Sequence, residues 1–227
     1  MKFNPIFCAL DTPDVAAAAS LAAKLDGAIG GVKLGLEFFT ANGIDGVRQV
    51  MQGTSLPLFV DLKFHDIPNT VAGAIRSVAA LKPAFTTIHA GGGAAMMRAA
   101  VDAAEGRFKI LAVTVLTSLG EEDMPTLGIG TSVSDQVKRL ADLAAASGID
   151  GLVCSPHEVA VLRAQLGAKV TLVVPGIRPA GSAADDQNRV LTPKQAMEAG
   201  ADHLVIGRPI TGSSDPAAAA KAIMESL

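Results

Sequence analysis

Short, almost continuously apolar runs alternate with longer stretches in which alanine and charged residues share a helical spacing. The runs are "PIFCAL" (5–10), "GVKLGL" (31–36), "LPLFVDLK" (56–63), "FTTIHA" (85–90), "KILAVTVLT" (109–117), "GLVCS" (151–155), "VTLVVPG" (170–176) and "HLVIGRP" (203–209). A short run that is apolar on both faces reads as a parallel strand covered on both sides. A helical stretch follows each one. Four of these open on a capping residue followed by proline: Thr12-Pro13, Ser155-Pro156, Thr192-Pro193 and Asp215-Pro216. Proline at the first helical position loses nothing, because that N–H has no partner there. Glu158 and Gln195, three residues after Ser155 and Thr192, predict two capping boxes. Gly27, Gly148, Gly167 and Gly200 mark helix ends. The segments "SGIDGLV" and "AGADHLV" repeat one helix-stop, strand-start unit. Eight such units predict an α/β chain folded as a (β/α)8 TIM barrel, with residues 1–227 a single domain. An open doubly wound sheet is the competing arrangement. It expects G-x-G-x-x-G after the first strand, where "ALDTPD" stands instead.

Composition narrows the function classes. A chain of 227 residues that is 49% hydrophobic can bury one substantial core. A net charge of −3 gives no basic face for nucleic acid, and the absence of Trp and Tyr leaves no obvious stacking platform for single strands. No apolar run reaches the ~18 residues of a spanning helix. "MKFNPIFCALDTP" has too short an apolar stretch for a secretory signal. Cys8 and Cys154 are isolated inside strand candidates, which predicts buried thiols in a reducing compartment. Together these imply a cytoplasmic protein with no membrane or nucleic-acid partner.

In a barrel of this kind the chemistry lies at the C-terminal ends of the strands. Those ends carry Asp11, Lys33, Asp61, Lys63, His89, Thr117, Ser118, Pro175, Arg178, Gly207 and Arg208. The loops after strands seven and eight, "PGIRPAG" and "IGRPITGSSD", combine glycines with arginines. Backbone N–H groups and a bidentate guanidinium there suit a phosphate, which predicts a small phosphorylated ligand. Two loops, 118–132 and 177–190, exceed ordinary connections and are lid candidates. In "DLKFHDIPNT", strand alternation puts Asp61 and Lys63 on one face, the barrel mouth, with Lys33 beside them and Asp66 in the following turn. Phe64 should alternate outward onto the helices, and His65 should be a hydrogen-bonded structural residue. His89 could line the site in a supporting role. His203, at the start of strand eight, belongs to the opposite end, and His157 to a helix first turn. The four histidines show no metal-ligating spacing.

The stretch "DLKFHDIPNTV" resembles the signature of the orotidine 5′-phosphate decarboxylases, and the likeness runs the whole chain through "LDTPD", "VKLGLEFF", "ILAVTVLTS", "VCSP", "PGIRP", "DDQNR" and "VIGRPIT". The resemblance implies a homodimeric barrel without metal or organic cofactor that converts orotidine 5′-phosphate to UMP. By the same resemblance Asp11 and Lys33 hold the ribose. Asp61, Lys63 and Asp66 form the catalytic group, with Lys63 the proton donor and Asp66 and Thr70 reaching the neighbouring subunit's site. Thr117 and Ser118 meet the pyrimidine, Gln187 bridges base and phosphate with Arg178 nearby, and Gly207 and Arg208 bind phosphate.

The chemistry of the residues agrees. Losing CO2 from C6 of orotate leaves an electron pair on an sp2 carbon with no evident sink. A fixed ammonium where that charge develops is the natural device, and it can then donate a proton. A carboxylate facing the substrate's own carboxylate would add about 4 kcal/mol of repulsion at ~4 Å and an effective dielectric of ~20. Three other readings stay open. A metal-dependent sugar-phosphate decarboxylase or aldolase of the same barrel type would use Glu37 as a ligand. A Schiff-base aldolase would use Lys63 or Lys33, although flanking aspartates oppose the neutral amine it needs. A non-catalytic nucleotide-phosphate binding protein would need Arg208 and the glycines but not Lys63.

Overall fold

The computed structural model describes residues 3–179 and 191–227. Eight parallel strands close into a barrel in chain order: β1 (Ile6–Ala9), β2 (Gly31–Gly35), β3 (Leu58–Phe64), β4 (Phe85–His89), β5 (Lys109–Val113), β6 (Gly151–Val153), β7 (Thr171–Val174) and β8 (His203–Ile206). Closure comes where β1 pairs with β8 through Phe7↔Val205 and Cys8↔Ile206. The outer ring comprises α1 (Val15–Leu25), α2 (Leu36–Gln52), α3 (Pro68–Val78), α4 (Gly93–Ala104), α5 (Val133–Ala146), α6 (Val159–Leu166), α7 (Pro193–Glu198), α8 (Arg208–Thr211) and α9 (Pro216–Glu225). The expected architecture is therefore borne out. Among the described residues no helix is long and apolar enough to cross a membrane.

The caps show how the local sequence sets the helix starts. Thr192 and Gln195 exchange their bonds: Thr192 N–H donates to Gln195 Oε1 at 3.0 Å and Gln195 N–H to Thr192 Oγ1 at 3.3 Å. Asp215 accepts from Ala218 N–H at 3.0 Å. Ser155 N–H donates to the Glu158 carboxylate at 2.9 Å, over a single 3-10 turn, Pro156–Glu158, that leads into α6. The first cap is displaced. Thr12 Oγ1 takes the Asp14 N–H at 3.2 Å, and Asp14 in turn caps α1 by accepting from Ala17 N–H at 3.0 Å. Helix α1 thus begins two residues later than Thr12-Pro13 predicts, because the threonine is used in the turn before it.

The fifth and sixth runs also end early. Strand β5 stops at Val113 and β6 at Val153, which pair with each other. Thr114 and Val115 are buried although they lie beyond the end of the ladder. The expected strand to residue 117 is corrected accordingly.

Two cores result. The larger fills the space between strands and helices and contains both cysteines. Burial pushes the Cys8 thiol up to about 12, so it is an inert packing group. The smaller lies inside the barrel, where Phe7, Phe59 and Phe85 meet Leu111, Val173 and Val205. The rings pack edge to face, Phe7 on Phe59 at 6.1 Å and Phe59 on Phe85 at 5.9 Å between centroids. Gly31 makes this packing feasible, since a Cβ there would stand 2.3 Å from Phe7 Cε1. Below them His203 packs on Phe7 and Phe85, at the end of the barrel its position in β8 predicts. Burial holds its imidazole below the usual histidine range.

Candidate active site

Above the phenylalanine floor the inward positions turn charged. Phe59 and Asp61 are two apart on β3, so Asp61 rises directly over the floor. Lys33 comes from the neighbouring strand, where Gly35 pairs with Asp61. Asp11 lies two residues past β1. These groups form one alternating chain of charge. Asp11 Oδ1 stands 3.3 Å from Lys33 Nζ, Lys33 Nζ 3.6 Å from Asp61 Oδ2, and Asp61 Oδ1 2.8 Å from Lys63 Nζ. The Lys33 and Asp61 side chains are each 11% exposed, against 28% for Lys63 and 59% for Asp11, so the middle of the chain is the driest part. Burial alone would raise the Asp61 carboxyl. The charges of Lys33 and Lys63, with hydrogen bonds from Lys63 and Thr87, outweigh it and hold this carboxyl below the usual carboxylate range.

Lys63 reaches this place by a route that simple alternation does not describe. Its φ is +50°, a left-handed conformation that costs a non-glycine residue about 1–2 kcal/mol. The ladder between β3 and β4 slips here, from Val60↔Thr86 to Phe64↔Ile88. Two threonines of β4 satisfy the interrupted backbone. Thr86 Oγ1 donates to the Val60 carbonyl at 2.9 Å, and Lys63 N–H donates to Thr87 Oγ1 at 2.9 Å. Thr87 also donates to Asp61 Oδ1 at 2.9 Å. Phe64 turns outward against the larger core, as expected.

Three members of the charged chain, Asp11, Lys33 and Asp61, line a cavity of about 230 Å3 together with Pro175, Arg178, Gly207 and Arg208, while Lys63 is held beside it by Asp61 and is not among the lining residues. Gly176, with φ +77°, turns the backbone after β7. Beyond it Arg178 is 8% exposed, its Nη1 donates to the Ile177 carbonyl at 3.0 Å, and its Nε–H has no hydrogen-bond partner among the described residues. Ile177 bridges to Leu191, and Arg178 N–H donates to the Leu191 carbonyl at 3.1 Å. Gln187 lies outside the described residues.

Other expected residues stand apart from this cavity. Thr117 is half-buried and Ser118 exposed in the loop beyond β5, and neither lines it. Asp66 is exposed, with its carboxylate accepting from Ile67 N–H at 2.6 Å, and forms no ion pair with Lys63 of its own chain. Thr70 is exposed in the first turn of α3. His65 is not the hydrogen-bonded residue expected. It is exposed, and its ring stacks at 5.3 Å on His89, whose imidazole is lowered by burial first and then by His65 and Lys63. Glu37 is exposed in the first turn of α2. Among the described residues no three His, Cys, Asp or Glu side chains gather as metal ligands would. A second hollow, inside the 118–132 loop, shares no lining residue with the charged cavity, and its carboxylate, Glu121, is spent capping Val133 N–H at 3.0 Å.

Sequence reasoning missed Thr87 and Gly35. A Cβ on Gly35 would lie 3.0 Å from Lys33 Nζ and 3.8 Å from Asp11 Oδ1, so this glycine leaves the room the ammonium occupies. Its adjacency to Lys33 in the sequence was a signal. For Thr87 there was none, because its role depends on a slip in register.

Known proteins are similar to this chain over nearly its full length. The family model described as "Orotidine 5′-phosphate decarboxylase / HUMPS family" matches residues 4–223. A protein of Rhodospirillum rubrum named orotidine 5′-phosphate decarboxylase is 54% identical, covering 98% of this chain and 94% of the relative. One of the same name from Novosphingobium aromaticivorans is 55% identical over 99% of both. Among solved structures, the Lactobacillus acidophilus orotidine 5′-phosphate decarboxylase superposes with a TM-score of 0.87 at 38% identity, covering 98% of each chain. The barrel, its charged mouth and these matches lead to one conclusion, that the chain belongs to the orotidine 5′-phosphate decarboxylase / HUMPS family.

Proposed function

We propose that this chain, acting as one domain over residues 1–227, decarboxylates orotidine 5′-phosphate to UMP in pyrimidine biosynthesis, with Lys63 as the proton donor. The observation that carries the assignment of Lys63 is its ammonium, 2.8 Å from the buried Asp61 carboxylate at the end of an alternating charge chain. In the proposed step the bond from C6 to the carboxylate breaks, CO2 leaves, and its electron pair stays on C6. A proton from Lys63 Nζ then closes the valence, and the amine regains one from water. Fixed charge over an apolar floor acts without reorganising at the moment of reaction.

The rest of the cavity supports the same substrate. Arg208, the Gly207 backbone and the Arg178 Nε–H, which has no partner among the described residues, suit the phosphate. Asp11 and Lys33 suit the ribose hydroxyls. Thr117 and Ser118 would reach the pyrimidine when the 118–132 loop folds over the mouth, driven by binding at the remote phosphate. Asp66 and Thr70, exposed beside an Ile67 that is 67% exposed, fit a homodimer in which they complete the neighbouring site. The chemistry calls for no metal or organic cofactor, and a cytoplasmic location follows from the pathway.

The test is the ultraviolet absorbance change of orotidine 5′-phosphate, measured in excess chelator, for wild type and Lys63→Ala. Wild type turns over at an unchanged rate in chelator. Lys63→Ala loses ~10^4-fold or more in kcat, as expected for removing both the acid and the cation. It still binds UMP. Retained turnover in that variant would defeat the assignment of Lys63, and loss of wild-type activity in chelator would favour the metal-dependent relatives.

A further inference from the structure

Between Val60↔Thr86 and Phe64↔Ile88, four steps along β3 face two along β4. The slip removes ladder bonds, and two consecutive, fully buried threonines replace them. Thr86 does only that, donating to the Val60 carbonyl. Thr87 does more. Its oxygen accepts the Lys63 N–H at 2.9 Å, and its proton goes to Asp61 Oδ1 at 2.9 Å, the oxygen that also accepts from Lys63 Nζ at 2.8 Å. A hydroxyl has one proton to give. With a lone pair occupied by Lys63 N–H, that proton is aimed at Asp61. The result is a closed ring: Lys63 backbone, Thr87 hydroxyl, Asp61 carboxylate, Lys63 ammonium. It grips the lysine at both ends while its backbone sits at φ +50°.

We propose that Thr87 is a positioning residue for the decarboxylation, its hydroxyl setting where the Lys63 ammonium points by tying Asp61 to the Lys63 main chain. This rests on the reading of Lys63 as proton donor. The competing account is that Thr87 merely closes the gap in the sheet. Thr86 is the internal control, since it closes the same gap and its hydroxyl bonds to no charged group among the described residues.

The experiment compares wild type with Thr87→Val, Thr87→Ser and Thr86→Val. Three quantities are read: steady-state kinetics on orotidine 5′-phosphate, UMP affinity by calorimetry, and hydrogen exchange of the Lys63 amide by NMR without ligand. Thr87→Val is expected to lower kcat by about 10- to 100-fold, the loss of one hydrogen bond to a charged group, with UMP affinity within about threefold. The acid limb of its kcat profile moves to higher pH, because a bond that favours ionised Asp61 is gone. Thr87→Ser restores kcat to within about threefold of wild type, and Thr86→Val stays within the same range whatever its melting temperature. Equal losses in Thr86→Val and Thr87→Val, or a Thr87→Val loss below about threefold, overturn the proposal. If Thr87→Val does not fold, Thr87→Cys takes its place, with a weaker donor and the same expected direction. If wild type itself leaves the substrate unchanged, the assigned reaction fails, and amide exchange still decides the ring. Lys63 N–H must then exchange at least ~10-fold faster in Thr87→Val but not in Thr86→Val, and unchanged exchange refutes it.

Discussion

Gly35 and Lys33 show how closely single residues are fitted at the mouth. The Gly35 backbone is at φ −101°, open to any residue, so its value is space and not conformation. Gly35→Ala would push the Lys33 ammonium, 3.0 Å from the new Cβ, by a few tenths of an ångström. We expect KM to rise about 3- to 10-fold with the melting temperature nearly unchanged, a binding effect that kinetics and a thermal melt together separate from misfolding. At this scale much was legible. Strand alternation put Asp61 and Lys63 on one face, and the ion pair at 2.8 Å agrees. The means was not legible. Alternation presumes a regular ladder, and Lys63 attains the shared face through a register slip that only the partner strand's threonines reveal. Thr117 and Ser118 were read as strand-end residues because their run is apolar. Thr114 and Val115 are buried beyond the ladder's end, so burial there gives the same pattern as burial in a sheet.

Among elements, the helix starts offer a sharp comparison. Asp14 caps α1, while Thr12 only braces the turn before it. Asp14→Ala should therefore cost about 1 kcal/mol in urea unfolding, and Thr12→Ala clearly less. The reverse order would restore the earlier start that Thr12-Pro13 suggests. The boxes at Ser155 and Thr192 were readable because both partners are local and three residues apart. The α1 start was not, since two capable oxygens lie two positions apart and only the path of the chain chooses between them. The eight strands were readable as continuous apolar runs, because a barrel strand is covered on both faces. Their ends were less so, because pairing depends on how far each neighbour extends.

For the whole molecule, the exposure of Asp66 and Thr70 bears on assembly. If, as proposed, a site takes Lys63 from one subunit and Asp66 from the other, it can be rebuilt from two inactive variants. Lys63→Ala and Asp66→Asn, unfolded together and refolded as a mixture, should recover about a quarter of wild-type activity, since half of the random dimers then hold one intact site of two. No recovery would place Asp66 in its own chain's site. Such an arrangement, which the family resemblance implies, is beyond bottom-up reading, because a single sequence gives no sign of which surface meets a second copy.

The aromatic floor under the charges has a further consequence. Dissolved ions approach Lys33 and Asp61 only from above, for Phe7, Phe59 and Phe85 close the underside. Mobile electrolyte should then dampen the proposed capture of the phosphate at exposed Arg208 far more than it dampens the bond-breaking step. Between ~0.05 and ~0.5 M potassium chloride, kcat should hold within about twofold while KM climbs severalfold. A kcat that fell in parallel would mean brine leaks beneath the lysines, and that the hydrocarbon plug is no insulator.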